Sequence, residues 1–179
     1  MKLRIIAGTY GGRLIEAPSG FATHPMGERI RNALFNMLGD ISDKTLLDPY
    51  AGSGAVSIEA ISRGAARAVA IEKDRKAQTT LTKNIASLGL ENRIKVIRAN
   101  CRAWSETSQD QQFDLIIADP PYNAVSLSTI ALLIRHLKST GTMILSHSGR
   151  ESAPTVNGVV VVDNRSYGDA ALAVYRKEV

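Results

Sequence analysis

The sequence predicts an α/β fold built on a seven-stranded, mostly parallel β-sheet with an antiparallel last strand. From residue 41 onward, short apolar segments rich in branched residues alternate with helical segments. This pattern is typical of parallel strands joined by right-handed crossovers. The last two apolar segments have no helical segment between them, which predicts a hairpin at one end of the sheet. We therefore expect a small N-terminal extension at residues 1–40 and the main domain at residues 41–179.

The extension is predicted to contain two short extended segments and one helix. Apolar residues at 3–6 and 13–15 indicate the extended segments, and the glycines and prolines around them prevent a helix there. Between residues 28 and 38 the apolar side chains recur at helical spacing, which places Arg29 and Arg31 toward the opposite face. Gly39 is a suitable stop for this helix.

The main domain is predicted to contain seven strands and three helices. The strands fall at residues 45–47, 68–71, 94–98, 113–118, 142–145, 159–162 and 172–175. The helices fall at residues 56–63, at residues 75–88 after the capping residue Asp74, and at residues 127–138. The absence of an internal repeat or a low-complexity linker favours a single domain.

Composition limits the class of protein. Hydrophobic residues make up 44% and charged residues 22% of the 179 residues, as in an ordinary globular domain. Apolar runs stay short of the roughly 20 residues that a membrane helix needs. The single Cys101 excludes an internal disulfide, and the three histidines have no metal-ligand spacing. We expect a cytoplasmic monomer with no metal site and no membrane contact.

The charge distribution indicates a possible partner. The net charge of +5, from 22 Lys and Arg against 17 Asp and Glu, is compatible with nucleic acid. Residues 1–36 contain five basic and two acidic residues, so the excess is concentrated in the extension. With only 5% aromatic residues, a broad base-stacking platform is not expected.

A glycine-rich turn follows the first strand of the main domain. Asp48 ends the strand, and Gly52 and Gly54 allow a ligand to approach the backbone where the next helix begins. Glu72 ends the next strand, where its carboxylate can accept both hydroxyls of a ribose. A dinucleotide site requires a third glycine where this chain has Ser57, and Asp48 would repel a pyrophosphate. The pattern favours S-adenosylmethionine, which has an α-amino group, a sulfonium and a ribose.

A second motif follows the fourth strand. Asp119, Pro120, Pro121 and Tyr122 fall at the carboxyl end of this strand, where ligands bind in open α/β sheets. The Asp119 carboxylate and the Pro120 carbonyl can accept hydrogen bonds from both N–H groups of an exocyclic amine. The same carboxylate can stabilise the positive charge that develops on the nitrogen. Tyr122 can stack on the base.

The two motifs together resemble the class I methyltransferase fold, with a Rossmann-like sheet and an amino-methylating Asp-Pro-Pro-Tyr sequence. The N-terminal extension narrows the resemblance to one family. Arg4-Ile5-Ile6-Ala7-Gly8, Gly12-Arg13, Thr23-His24-Pro25 and the segment 28–38, with the late Tyr167-Gly168-Asp169, are similar to the RsmD family of 16S rRNA (guanine-N2) methyltransferases. The family usually has Arg and Thr where this chain has His24 and Met26.

The resemblance implies a role for each candidate residue. The catalytic residues would be Asp119, Pro120 and Tyr122. The donor S-adenosylmethionine would be bound by Asp48, Tyr50, Gly52, Gly54, Glu72, Asn100, Cys101 and Asp119. Ribosomal RNA, in a small subunit or an assembly intermediate, would be bound by Arg4, Arg13, His24, Arg29 and Arg31.

Two alternatives stay open on the sequence. The amine could instead be adenine N6 or cytosine N4, in DNA or in another RNA. A protein of a different class, a non-catalytic module for RNA binding or ribosome assembly, could keep the donor pocket as a relic. Loss of the Asp119–Tyr122 acceptor cluster would favour this second alternative, and the cluster is intact.

Overall fold

The computed structural model describes residues 1–19 and 25–178. The extension contains a two-stranded antiparallel sheet, β1 (Lys2–Arg4) and β2 (Leu14–Glu16), followed by helix α1 (Glu28–Leu38). The predicted helix has the predicted bounds. Gly39 ends it with a positive φ of 69°, which a residue with a side chain rarely adopts.

The main domain contains one seven-stranded sheet with the order β5-β4-β3-β6-β7-β9-β8. Its strands are β3 (Thr45–Asp48), β4 (Arg67–Glu72), β5 (Ile94–Arg98), β6 (Phe113–Ala118), β7 (Leu137–Ser148), β8 (Val159–Tyr167) and β9 (Ala170–Lys177). Its helices are α2 (Ala55–Ser62), α3 (Arg75–Ser87), α4 (Cys101–Thr107) and α5 (Leu127–Ile134). Strands β3 to β7 are parallel, and β9 is antiparallel to both β7 and β8. The predicted fold class is confirmed.

The helices cover both faces of the sheet. On β3, Leu46 belongs to a buried cluster with residues of α1, α2 and α3, whereas Leu47 belongs to a cluster with residues of α4 and α5. Successive residues of a strand point to opposite faces, so both must be apolar when both faces are covered. Because helices cover both faces of the sheet, a ligand can reach it at the carboxyl edge of the parallel strands, where the loops after four strands meet.

One observed helix was not predicted, and one predicted helix ends earlier than expected. Helix α4 was not predicted, and α5 ends at Ile134 although the sequence favoured a helix as far as residue 138. Leu137 already belongs to β7, where it pairs with Phe113 of β6. His136 lies between α5 and β7, buried, with hydrogen bonds to Ser105 Oγ and to the carbonyl oxygen of Gln111, each 2.7 Å long.

The extension docks on helix α2 through buried polar contacts. The Glu59 carboxylate accepts hydrogen bonds from the amides of Ile6 at 2.8 Å and Ala7 at 3.1 Å. Gly8 passes so close to α2 that an added Cβ would lie 1.8 Å from the carbonyl oxygen of Ser62. These contacts fix the extension against helix α2.

Over the ranges 1–19 and 25–178, none of the helices combines the length and the apolar character needed to span a membrane.

Candidate active site

A cleft of about 730 Å³ lies at the carboxyl ends of β3, β4, β5 and β6. Most of the residues predicted to bind the donor or the target amine line it: Tyr50, Gly52, Glu72, Asn100, Cys101, Asp119, Pro120 and Tyr122. The extension contributes another wall through Pro18, Pro25, Met26, Gly27 and Ile30. Met26 is one of the positions at which this chain departs from the RsmD pattern, so that departure falls in the wall of the cleft.

The two glycines of the turn have different roles. Both have a positive φ, 54° at Gly52 and 87° at Gly54. A Cβ on Gly52 would meet nothing within 4 Å, and Gly52 lines the cleft. A Cβ on Gly54 would lie 2.4 Å from Leu81 Cδ1 of α3. Gly52 therefore leaves room for a ligand, whereas Gly54 lets α3 pack against the start of α2.

Asp48 lies behind the glycine turn and is almost completely buried. The Ser57 hydroxyl donates a hydrogen bond of 2.7 Å to its carboxylate. Burial, together with the neighbouring carboxylates of Asp119 and Glu72, raises the pKa of Asp48 to about 7, although the hydrogen bond from Ser57 opposes the rise. Ser57 is thus a site residue that the sequence did not single out, although it occupies the position of the missing third glycine.

Glu72 is held rigidly at the end of β4. Its carboxylate accepts hydrogen bonds from the amide of Gly52 at 2.8 Å and from the amide of Asp74 at 2.9 Å. The first bond connects the end of β4 to the glycine turn after β3. This arrangement fixes an acceptor in the wall of the cleft, at the position expected to receive ribose hydroxyls.

Asn100, Cys101 and Tyr50 form the part of the cleft wall next to β5. Asn100 caps α4, because its side chain accepts a hydrogen bond of 2.9 Å from the amide of Arg102. Burial raises the pKa of the Cys101 thiol, and the hydrogen bond to the Tyr50 hydroxyl only partly offsets this effect. Burial raises the pKa of Tyr50 as well. Both groups are neutral at pH 7, which suits the wall of a binding pocket better than a nucleophile.

Asp119 and Tyr122 follow β6 and line the same cleft. Burial raises the pKa of Asp119 to about 6, and a hydrogen bond from the Ser146 hydroxyl limits the rise. Tyr122 Oη lies 2.6 Å from Ser146 Oγ, while the Tyr122 side chain stays 40% exposed. Ser146, a buried residue of β7, is a second site residue that the sequence did not single out.

One residue predicted to face RNA is buried instead. Arg31 has no exposed surface, and its Nε lies 3.5 Å from the equally buried Glu59 carboxylate. The Arg31 guanidinium also donates hydrogen bonds to the carbonyl oxygens of Met26, at 3.1 Å, and Arg4. The expectation that Arg31 contacts a phosphate is therefore wrong, because this side chain fastens α1, β1 and the cleft wall to α2.

The other basic residues of the extension fall in different places. Arg29 is exposed, with its guanidinium 5.9 Å from the centre of the Tyr167 ring. Arg13 is exposed, and Arg4 is exposed but pairs with Glu28 at 2.9 Å. His24 lies outside the described residues. Arg29 and Arg13 are thus the extension's candidates for a phosphate contact in the part of the chain that the structure describes.

The residues present fit S-adenosylmethionine. The cleft has carboxylates at Glu72 and Asp119 with Asp48 behind the turn, an arrangement that favours a cation and disfavours a phosphate. Gly52 leaves open space beside the fixed Glu72 carboxylate. A sheet of this strand order, with this cleft at its carboxyl edge, defines a class I methyltransferase.

Comparison with known proteins gives the family. The model of the family described as "Conserved hypothetical protein 95" matches residues 3–176, nearly the whole chain. The chain belongs to this family, which is the RsmD family of methyltransferases.

Three relatives illustrate the similarity. YlbH of Bacillus subtilis (strain 168) is 31% identical over 182 residues, which cover 98% of this chain and 99% of YlbH. Ribosomal RNA small subunit methyltransferase D of Escherichia coli (strain K12) is 37% identical over 134 residues, 74% of this chain and 67% of its own length. The solved structure of yhhF from Escherichia coli superposes with a TM-score of 0.88, at 31% identity and over 99% of both chains.

Proposed function

We propose that this protein transfers a methyl group from S-adenosylmethionine to the exocyclic N2 amine of a guanine in small-subunit ribosomal RNA. The observation that carries the proposal is the Asp119–Tyr122 segment. It brings the half-buried Asp119 carboxylate and the half-exposed Tyr122 ring into the cleft that the glycine turn and Glu72 also line. The relatives that are named ribosomal RNA small subunit methyltransferase D support rRNA as the substrate.

The donor is held on the side of the cleft formed by β3, β4 and β5. Glu72 accepts the ribose hydroxyls, Gly52 lets the backbone approach the ligand, and Asn100 and Cys101 lie against the adenine. Asp48 and Asp119 compensate the positive charge of the donor. When bound, S-adenosylmethionine supplies a methyl group on a sulfonium, which is a good leaving group. The protein therefore needs to orient the amine more than to activate the donor.

The amine is held on the other side of the cleft. An exocyclic amine on a heterocycle is a poor nucleophile, because its lone pair is delocalised into the ring. Asp119 and the Pro120 carbonyl accept hydrogen bonds from the two N–H groups of the amine. These hydrogen bonds favour tetrahedral geometry at the amine nitrogen. The Asp119 carboxylate stabilises the charge that develops there. Tyr122 stacks on the base, which must leave its helix or already be unpaired.

The N-terminal extension binds the RNA around the target base. Arg29 and Arg13 are exposed beside a cleft wall that the same extension provides. So small a contact surface favours a substrate that presents the base itself, as a folded small subunit or an assembly intermediate does. The phosphate contacts position the RNA and add no sequence information.

Incubation with labelled donor and three substrates tests the proposal: naked rRNA, assembled small subunits and duplex DNA. Nucleoside analysis of the product should give N2-methylguanosine from rRNA. Labelled N6-methyladenine or N4-methylcytosine would establish the same fold with a different target amine. Label in none of the three, with normal donor binding, would favour a non-catalytic RNA-binding module.

The Asp119→Ala variant separates the two halves of the site. It should abolish methyl transfer, because the amine loses its charged acceptor, while donor affinity in calorimetry stays within a fewfold of wild type. The Glu72→Ala variant is the counterpart and should weaken donor binding at least tenfold, since a charge-assisted hydrogen bond contributes roughly 1.5–3 kcal/mol. Turnover close to wild type in Asp119→Ala would contradict the assigned chemistry.

A further inference from the structure

Ser146 occupies a particular place in the sheet. It follows Leu145 of β7, and Leu145 pairs with Ala118 of the parallel neighbour β6. Asp119 directly follows Ala118, so Ser146 and Asp119 emerge side by side at the carboxyl edge. Ser146 is 2% exposed and its surface lines the cleft. A buried hydroxyl at this position needs hydrogen-bond partners. Its neighbours Tyr122 and Asp119 both belong to the Asp-Pro-Pro-Tyr motif.

The direction of these hydrogen bonds follows from chemistry. The β6–β7 register places Ser146 beside the Asp119 carboxylate, and Ser146 Oγ lies 2.6 Å from Tyr122 Oη. A hydrogen bond from the Ser146 hydroxyl lowers the pKa of the Asp119 carboxyl. An ionised carboxylate can only accept, so Ser146 must donate its single proton to Asp119. The Tyr122 hydroxyl must then donate to Ser146 Oγ. The chain of hydrogen bonds therefore runs from Tyr122 through Ser146 to Asp119.

We propose that Ser146 is a positioning residue for methyl transfer: its hydroxyl donates to the Asp119 carboxylate and orients it toward the target amine, and the Tyr122 hydroxyl acts through it. This inference rests on the proposed role of Asp119 as acceptor of the amine. Tyr122 then has two separable roles. Its ring stacks on the base, and its hydroxyl holds Ser146 in the rotamer that donates to Asp119.

The surroundings of Asp119 explain why such a donor is needed. The titratable group that faces it from the neighbouring strand β3 is Asp48, whose own pKa the Asp119 carboxylate raises. Glu72 of β4 lies one strand farther away and lines the same cleft. Tyr50 follows β3, Lys73 follows β4 and Cys101 comes after β5, and all three line the same cleft. Burial adds to the cost of ionising Asp119, and Ser146 is the side chain whose hydrogen bond opposes it. Without the hydrogen bond from Ser146, the Asp119 carboxyl would be protonated to a larger extent, and the protonated form cannot stabilise a cation.

Four variants and one control test the proposal by steady-state kinetics. Ser146→Ala should move the acid limb of the pH profile up by about one unit, which lowers kcat about twofold at pH 7 and about tenfold at pH 5. It should leave the KM for the donor unchanged. Ser146→Thr keeps the hydroxyl and should restore most of the rate. Tyr122→Phe keeps the ring and should shift the acid limb in the same direction by a smaller amount. The Ser146→Ala/Tyr122→Phe double variant should be no slower than Ser146→Ala, because the Tyr122 hydroxyl acts only through Ser146.

The control is Ser139→Ala, on the exposed opposite end of β7, which should leave both kcat and the acid limb unchanged. Additive losses in the double variant would overturn the proposal, since they would mean that the Tyr122 hydroxyl contacts the substrate independently.

A measurement on the free protein makes the test independent of the substrate. The pKa of the Asp119 carboxyl, followed by ¹³C NMR, should rise in Ser146→Ala and return toward the wild-type value in Ser146→Thr. Donor binding by calorimetry at pH 8 should be the same in all three proteins. An unchanged Asp119 pKa in Ser146→Ala would overturn the proposal, as would a Thr variant with wild-type donor affinity and an Ala-like pKa. Product analysis with wild-type protein tests the proposed function separately, so the two failures are distinguishable.

Discussion

Arg31 and Glu59 form an ion pair from which solvent is excluded. Arg31 Nε lies 3.5 Å from Glu59 Oε1, and neither side chain has any exposed surface. The Glu59 carboxylate also accepts hydrogen bonds from the amides of Ile6 and Ala7. The Arg31 guanidinium also donates a hydrogen bond to the carbonyl oxygen of Met26, a residue of the cleft wall. One buried pair thus couples the placement of the N-terminal extension to the wall of the cleft.

Arg31→Met should therefore destabilise the protein by about 3–5 kcal/mol, since Glu59 would keep its charge in the interior without this partner. Arg63, whose Nε lies 2.9 Å from Glu59, compensates part of the loss and places the expected value at the lower end. Urea unfolding at pH 7 measures the change. The matched control on the same helix is Arg29→Ala, which should change stability by less than about 0.5 kcal/mol because the side chain is exposed. Similar stabilities for the two variants would contradict the role assigned to the buried pair.

The two arginines should exchange roles when RNA binding is measured. Arg29→Ala should weaken binding to small-subunit rRNA and reduce the slope of log K against log salt by about 1, as expected for one lost phosphate contact. Arg31→Met, studied below its unfolding temperature, should leave that slope unchanged because the side chain has no surface to offer a phosphate. A salt titration of both variants provides the measurement. An unchanged slope in Arg29→Ala would move the RNA footprint away from α1.

The glycine turn gives a third prediction, in which two similar substitutions have different effects. Gly52→Ala should weaken donor binding, because the new methyl group enters the open space of the cleft, while its positive φ costs about 1–2 kcal/mol of stability. Gly54→Ala carries the same backbone cost and in addition places Cβ 2.4 Å from Leu81 Cδ1, so it should be the more destabilised variant. Calorimetry with the donor and thermal unfolding separate the two effects. A larger loss of donor affinity in Gly54→Ala than in Gly52→Ala would contradict this division.

The pKa of Asp119 predicts the pH dependence of the reaction. The acceptor must be ionised, and the pKa of this carboxyl is about 6, so kcat should fall about tenfold per unit as the pH drops below that value. Single-turnover rates at saturating donor between pH 5 and 8 measure this limb and remove the contribution of donor binding. A rate that stays constant down to pH 5 would show that the reaction does not require the ionised form of Asp119.

The sequence predicted the position of the site better than the direction of individual side chains. Asp48, Glu72 and Asp119 were found because each ends an apolar run, and parallel strands bring such ends to one edge. Arg31 was misplaced because α1 has apolar residues on two faces. It shares the buried face with Leu34 and Phe35 at a spacing of three and four residues.

A signal for the burial of Arg31 was nevertheless present. Glu59 is the only acid in the otherwise uncharged α2 sequence and therefore needed a cationic partner. Ser146 could not be found in this way, because its partners lie 24 and 27 residues earlier in the chain and meet it only through the β6–β7 register. Helix α4 was missed for another reason: it has seven residues and a single large apolar side chain, Trp104, so it shows almost no periodicity.

The buried carboxyl of Asp48 gives a prediction about stability. Its folded-state pKa is about 7, well above the roughly 3.9 of an unfolded aspartate, so folding favours the protonated form. The stabilising effect of this shift is fully present below about pH 3.9 and is lost as the pH rises through 7. Asp48→Asn mimics the neutral acid and can still accept the hydrogen bond from Ser57. It should therefore be more stable than wild type by a few kcal/mol at pH 8 and show no advantage at pH 4.

Urea unfolding at the two pH values measures this difference, and Asp110→Asn, at an exposed position, is the control that should match wild type at both. The same Asp48→Asn substitution should weaken binding of the cationic donor in calorimetry, because the turn then lacks the negative charge behind it. Greater stability combined with weaker donor binding would show that the Asp48 carboxylate increases the affinity for the donor and lowers the stability of the folded protein. A variant that is less stable than wild type at pH 8 would instead show that the Asp48 charge contributes favourably to folding, contrary to the burial argument.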